Sequence, residues 1–278
     1  MFRRATQTSL LTVLLLGSIQ SALPASGDGG WWGDLFDEDK IISLNDVLKE
    51  PMSYRGKTVT FIAQFHKLGK IDNPFYTKFE SEWYLNFSIW ADEAPLWTRK
   101  GYREDFQYIF IRRNAKLASK ILHAPLYARF VFVVEVSDIF KGKPWMEVTG
   151  LTQLDAQMNE SSLIHMVKGF TLKRVGRHAA AAREFAAADH KTLPLHVRLK
   201  LMMEEAGAWA ADGKKENAAR ALRLAAGLVP EDAEIRKTIA ALTRRLGLET
   251  TNPEDKGSEA ARSKKKADGK KESEASDN

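Results

Sequence analysis

The 278-residue chain contains no cysteine. That excludes disulfides, a thiol nucleophile, lipid attachment through an N-terminal cysteine and every zinc pattern built on thiolates. Histidine is scarce as well: His66, His123, His165, His178, His190 and His196 are scattered, and the last two stand too far apart for a tight helical ligand pair. A phosphate loop, a nucleophile elbow and a His-Glu metalloprotease helix are all missing. No catalytic residue, metal or cofactor is therefore expected, and the chain reads as non-enzymatic. The acidic pairs Asp37-Glu38, Asp92-Glu93 and Glu104-Asp105 fall in expected loops and read as solvated charge.

A long apolar run is also lacking. The run Leu10 to Ile19 is about half the roughly 20 residues a spanning helix needs. Arg3 and Arg4 precede it and the small residues Ala22, Ala25 and Gly27 follow, which is the layout of a signal peptide. Residues 1–25 are expected to be that peptide, directing the chain to the periplasm or cell envelope without a permanent transmembrane anchor. An uncleaved N-terminal anchor is the alternative.

The net charge of +6 suggests nucleic acid until it is divided along the chain. Residues 26–155 carry 17 basic and 18 acidic side chains, whereas residues 156–251 carry 16 and 11, so the basic excess of the mature chain lies in its second half. A weakly acidic first half gives phosphates no strong attraction, and a nucleic-acid partner is not expected.

The patterning divides the chain further. A glycine-rich, acidic linker (26–42) leads to a short helix, Ser43 to Glu50, capped by Ser43 or Asn45 and stopped by Pro51. Alternating segments follow at Thr58–His66, Trp83–Trp90 and Gln107–Arg112, then a helix at Asn114–Leu122, then strands at Arg129–Ser137 and Trp145–Leu151 joined by a turn at Lys141–Pro144. On the first strand Val59, Phe61, Ala63 and Phe65 share a face; on the second, Leu85, Phe87 and Ile89 oppose Tyr84, Asn86, Ser88 and Trp90. This order, with stretches such as Tyr54-Arg-Gly-Lys-Thr-Val, resembles an OB-fold barrel over residues 43–155. The resemblance implies an outer ligand face at Tyr84, Trp90, Tyr108, Phe110 and Arg112, where exposed aromatics could stack on bases or sugars. The competing expectation is that the Ser43 helix, the Trp31-Trp32 segment or the second half of the chain covers this face.

From Glu160 the period becomes helical and alanine dense. Gly169, Leu172, Gly176, Ala181, Phe185 and Ala188, and then Ala206, Trp209, Gly213, Ala218, Leu222, Ala225 and Pro230, resemble two tetratricopeptide units within 160–248, with Ala233–Leu246 as capping helix. About three residues beyond the usual period fall near Lys191–Leu195. The expected fold class is thus α+β: a five-stranded barrel, a short all-α array and, at 249–278, a disordered charged tail. The repeat resemblance implies a concave groove lined by Met166, Phe170, Lys173, Arg174, Lys200, Met203, Lys237 and Arg244. Methionines among cations suit a partner protein or peptide with apolar and acidic groups, so a docking or scaffold role is expected. A plain solvated basic face, a barrel that binds saccharide or single strands, and an accessory subunit of an enzyme are the alternatives.

Overall fold

The computed structural model describes residues 41–248. The expected signal peptide, the Trp31-Trp32 segment, the Asp37-Glu38 pair and the charged tail lie outside the described residues.

Five strands close into a barrel: β1 (Thr58–Leu68), β2 (Tyr84–Ala91), β3 (Phe106–Arg112), β4 (Arg129–Phe140) and β5 (Lys143–Leu154). The order around it is β1-β2-β3-β5-β4, with β1 paired to both β2 and β4 and a short parallel pairing between β3 and β5, at Ile109–Met146 and Phe110–Glu147. Alternation explains the interior. Phe61, Ala63, Phe87, Ile89, Ile109, Phe130, Phe132 and Met146 are all fully buried in one cluster. At the β4–β5 turn, Lys141 and Gly142 both take positive φ, 51° and 71°, which matches the twist of a two-residue hairpin.

The helices around the barrel differ from the sequence expectation in three ways. Helix α1 (Leu44–Lys49), capped by the Ser43 side chain, buries Leu44 and Val47 and ends before Pro51 as expected, but the chain turns helical again there. Proline suits the first position of a helix, and Pro51 begins a second short helix, α2 (Pro51–Tyr54). Helix α3 (Arg99–Arg103) was not expected; Thr98 caps it by accepting from the Gly101 N–H. The helix expected at Asn114–Leu122 shrinks to α4 (Ala118–Leu122), because the segment before it is spent in turns after β3.

Five helices follow: α5 (Glu160–Arg174), α6 (His178–Ala188), α7 (Leu195–Ala211), α8 (Lys215–Gly227) and α9 (Ala233–Arg245). Each packs on the next in sequence. Three of them end the same way. Gly176, Gly213 and Gly247 adopt φ of 77°, 80° and 62°. In each turn the following N–H returns to a carbonyl five residues earlier: Arg177 to Leu172, Lys214 to Trp209 and Leu248 to Thr243, at 2.9, 2.9 and 3.0 Å. Glycine alone enters this left-handed geometry without steric cost.

Small residues set the helix spacing. At Gly169 a Cβ would lie 2.6 Å from the ring of Phe185, so α5 approaches α6 as closely as it does only because no side chain intervenes. Ala181, Phe185, Ala188, Ala206, Ala218 and Ala225 are fully buried in the same helical core. That core does not stop at the barrel. It includes Trp90, Leu96 and Tyr127 together with Met158, Leu163 and Met166 of the helical half.

Candidate functional site

The expected outer face of the barrel is not an exposed platform. All eight residues of β2 are buried, so Tyr84 and Trp90 cannot present open rings, and Phe110 is only 1% exposed. Two covers account for this correction. Phe79, from the β1–β2 loop, stacks on Phe110 at 4.2 Å and meets Tyr84 edge-on at 5.0 Å, while Trp145 packs on both Phe110 and Phe79, at 5.1 and 6.0 Å. Trp90 is sandwiched by His66 at 4.0 Å and Tyr127 at 5.6 Å, and its indole N–H donates to the Tyr102 carbonyl at 3.0 Å. Tyr108 is half-buried against Trp145. Arg112 is exposed but engaged, donating to Glu147 at 2.7 Å. Burial alone would raise the Glu147 carboxyl, but hydrogen bonds and charge from Lys78 and Arg112 outweigh it and hold the pKa below its ordinary value.

Aromatic side chains do face solvent on the barrel, in a loop the sequence expectation passed over. Phe75 is 91% and Tyr76 72% exposed, and Tyr76 stacks on Phe140 at 5.2 Å with the Lys141 ammonium 5.4 Å from that ring. The turn residues Asp72-Asn73-Pro74 were the available signal, since they mark a loop and loops run over the surface.

Of the four carboxylates in the described acidic pairs, Glu104 is exposed as expected, but Asp92, Glu93 and Asp105 are not solvated charge. Asp92 accepts two hydrogen bonds from Arg129, both 2.6 Å, and its carbonyl faces His196 Nε2 at 3.2 Å. Burial would raise its carboxyl, yet the bonds and charge of Arg129, with His196, lower the pKa. Glu93 accepts from Ser43 and from Asn45, tying the start of α1 to the same loop. Asp105 lies 3.0 Å from His66 Nδ1, and Ser88 Oγ lies 3.3 Å from that same nitrogen. A hydrolytic triad needs the acid and the nucleophile on opposite ring nitrogens. Here both meet one nitrogen and Ser88 is 1% exposed, so the three side chains do not have triad geometry; they hold the imidazole against Trp90. Among the described residues no group of three or more His, Asp or Glu side chains could hold a metal ion.

The residues expected to line a groove divide into covered and open sets. Met166 is fully buried, which corrects its assignment as a groove residue. Phe170 is half-buried, stacked on Trp97 at 5.8 Å and against Phe185 at 5.0 Å. The physical reason is that the barrel's Ala91–Thr98 loop packs on the helices: Trp97 stacks on Phe170 of α5, Leu96 joins the helical core and Asp92 meets His196 in the first turn of α7. Farther along, Lys173 and Lys200 both bind Glu204, the second at 2.9 Å. Desolvation would raise the Glu204 carboxyl, but the two ammonium groups dominate and lower its pKa. Those cations are partly neutralised at home, which the sequence pattern did not foresee. Arg174 and Arg244 are exposed with no ion pair among the described residues; Lys237 pairs with Glu234 at 2.7 Å; Met203 is half-buried.

Comparisons with family models, curated proteins and solved structures gave no match for this chain.

Proposed function

We propose that this chain is an exported, non-catalytic scaffold of the bacterial cell envelope. Its helices act as a short tetratricopeptide-like array that docks an acidic, apolar segment of a protein partner. The observation that carries this reading is the triplicate turn. Gly176, Gly213 and Gly247 share one hydrogen-bond pattern, and the second and third are 34 residues apart, the usual period of that repeat. In such an array the first helix of each unit faces the ligand, which puts Arg174, Lys200, Met203, Lys237 and Arg244 on the docking side. The barrel closes one end of that side, leaving the end near Arg174 and Met203 for the partner.

The test is binding of acidic, aromatic-containing peptides to the full chain. Affinity should fall with added salt and fall further in the Arg174→Glu/Arg244→Glu variant, whose fold stays intact because both side chains are exposed. If charge reversal changes neither affinity nor its salt dependence, while Phe75→Ala/Tyr76→Ala abolishes binding, the barrel is the docking unit. That second reading, a barrel whose loop stacks on a saccharide or another ring-bearing ligand, is favoured by the exposed Phe75 and Tyr76.

A further inference from the structure

The aromatic side chains that face water on the barrel stand among unpaired cations. Phe75 and Tyr76 lie midway along the β1–β2 loop, and Tyr76 stacks on Phe140 at the end of β4, so the loop and the β4–β5 hairpin form one tip. We propose that this tip seats the protein on the surface of an anionic phospholipid bilayer, with Phe75 and Tyr76 entering the headgroup region and the lysines of the hairpin beside them.

Shape is the first argument. Phe75 is 91% exposed, so almost no protein surrounds it and it cannot be the wall of a pocket. Small ligands and single strands are held in clefts and grooves that cover much of their surface. A bilayer interface instead closes around a protruding side chain, and aromatic rings settle at the headgroup level. The ring is also held out by the fold. On one side of it the Asn73 N–H donates to the Phe79 carbonyl at 3.0 Å, on the other Thr77 Oγ1 donates to the Asn73 carbonyl at 2.9 Å, and Phe79 is fully buried in the outer aromatic cluster.

Charge is the second argument. Lys141 and Lys143 flank Gly142 at the hairpin turn, and the Lys141 ammonium lies 5.4 Å from the Phe140 ring. Arg55 and Lys57 are brought to the same hairpin: the Gly56 N–H donates to the Val136 carbonyl at 2.8 Å and the Val136 N–H to the Lys57 carbonyl at 3.0 Å. Val136 precedes Phe140 by about 13 Å of strand. All four cations are exposed, with no ion pair among the described residues. Glu135 and Glu147 are bound by Lys78, and Glu80 and Glu82 flank Ser81, whose carbonyl accepts from Arg113 at 2.8 Å. That leaves Asp72 and Asp138 against the four. The near-neutral sum over residues 26–155 hides this excess, because residues 41–155 carry 16 basic and 13 acidic side chains. From the tip, β4 runs back about 35 Å to Arg129, which binds Asp92 beside α7, so a bilayer at the tip leaves the helices clear.

The absence of native cysteine makes the test direct. One environment-sensitive fluorophore is attached to the full chain through Pro74→Cys, beside Phe75, and in a second preparation through Arg223→Cys on α8. With vesicles of phosphatidylcholine containing one-quarter phosphatidylglycerol, the Pro74→Cys label should shift to the blue and be quenched by brominated acyl chains, while the Arg223→Cys label does neither. Vesicles of phosphatidylcholine alone, or added salt, should weaken the effect. Lys141→Asn/Lys143→Gln should lower partitioning about 25-fold, roughly fivefold for each cation. Asparagine before Gly142 suits the positive φ of that turn, so the hairpin persists. Phe75→Ala should lower partitioning about tenfold, with the melting temperature unchanged because the ring is open to water. A Pro74→Cys label left unquenched, whether the chain stays in solution or attaches through another segment, would overturn the proposal. Quenching that is equal on neutral and anionic vesicles and indifferent to the lysine changes would overturn it too. So would submicromolar single-stranded DNA or a neutral polysaccharide that shifts the label without vesicles, because the tip would then take a soluble ligand.

Discussion

Two glycine-to-alanine substitutions, chemically identical and both inside helices, should move stability in opposite directions. In Gly207→Ala the new methyl meets nothing within 4 Å, so only the backbone term remains. Replacing a helical glycine by alanine stabilises by roughly 0.5–1 kcal/mol. In Gly169→Ala the same gain is opposed by a methyl placed 2.6, 2.8 and 3.1 Å from three atoms of the Phe185 ring. That ring is fully buried and held edge-on by Phe170 at 5.0 Å, so it has little freedom to retreat. Overpacking of this kind costs about 1–3 kcal/mol, more than the backbone gain over most of that range. The net expectation is destabilisation by up to about 2 kcal/mol, and a gap between the two variants of about 1–3 kcal/mol. Urea titration of the full chain, with thermal melting alongside, measures it; each kcal/mol corresponds to roughly 2–4 °C in a chain of this size. Shortening the ring in Phe185→Leu should shrink the penalty of Gly169→Ala, although Phe185→Leu is itself destabilising. If Gly169→Ala stabilises as much as Gly207→Ala, α5 and α6 are not packed through that glycine and the close-approach argument fails.

Other outcomes follow from the buried polar junction, the covered indole and the N-terminus. Asp92→Asn should cost about 3 kcal/mol, because it leaves Arg129 without its carboxylate in a nearly closed site. The folded pKa of Asp92 is depressed, so its contribution is present above about pH 4 and disappears as pH falls toward the folded value. Acid titration should show that loss in the unmodified chain and lack this component in Asp92→Asn. Trp90→Ala should destabilise by about 3–5 kcal/mol, since the indole is fully buried. The unmodified chain, in the same vein, should bind single-stranded DNA at physiological salt no better than an unrelated protein of similar charge. Submicromolar binding that Tyr108→Ala abolishes would restore the stacking face. N-terminal sequencing of protein recovered from its native envelope should begin between residues 23 and 28, and intact Met1 in the cytoplasm would rule out export.

Period and punctuation made the elements legible from the sequence. The alternation through Val59, Phe61, Ala63 and Phe65 set one face of β1 inward, and the same rule found the inner residues of β2. Gly176 and Gly213 marked helix ends because positive φ is a local demand that a single residue type meets. Such signals involve neighbours in the chain, so the sequence determined the strands, the helices of the second half, and residues such as Phe185 that fill the gap between them. Pro51 marked the end of α1 but also opens α2, since proline suits a helix start, and Asn114 misled because a capping side chain does not oblige a helix to start at it.

What covers what was decided only by the tertiary structure. Alternation correctly put Tyr84 and Trp90 on the side of β2 opposite the core, but it carries no information about Phe79, Tyr102 or Tyr127, which arrive from other parts of the chain and bury them. The acidic pairs read as solvated because their partners, Arg129 for Asp92 and His66 for Asp105, stand 37 and 39 residues away. Met166 and Phe170 fell on the expected groove side by helical phase, and it took the folded barrel to show that its Ala91–Thr98 loop packs there. Helical phase fixes the direction in which a side chain leaves its own helix. Whether it meets water, a carboxylate or another part of the chain depends on contacts between residues far apart in sequence, and those exist only once the chain has closed on itself.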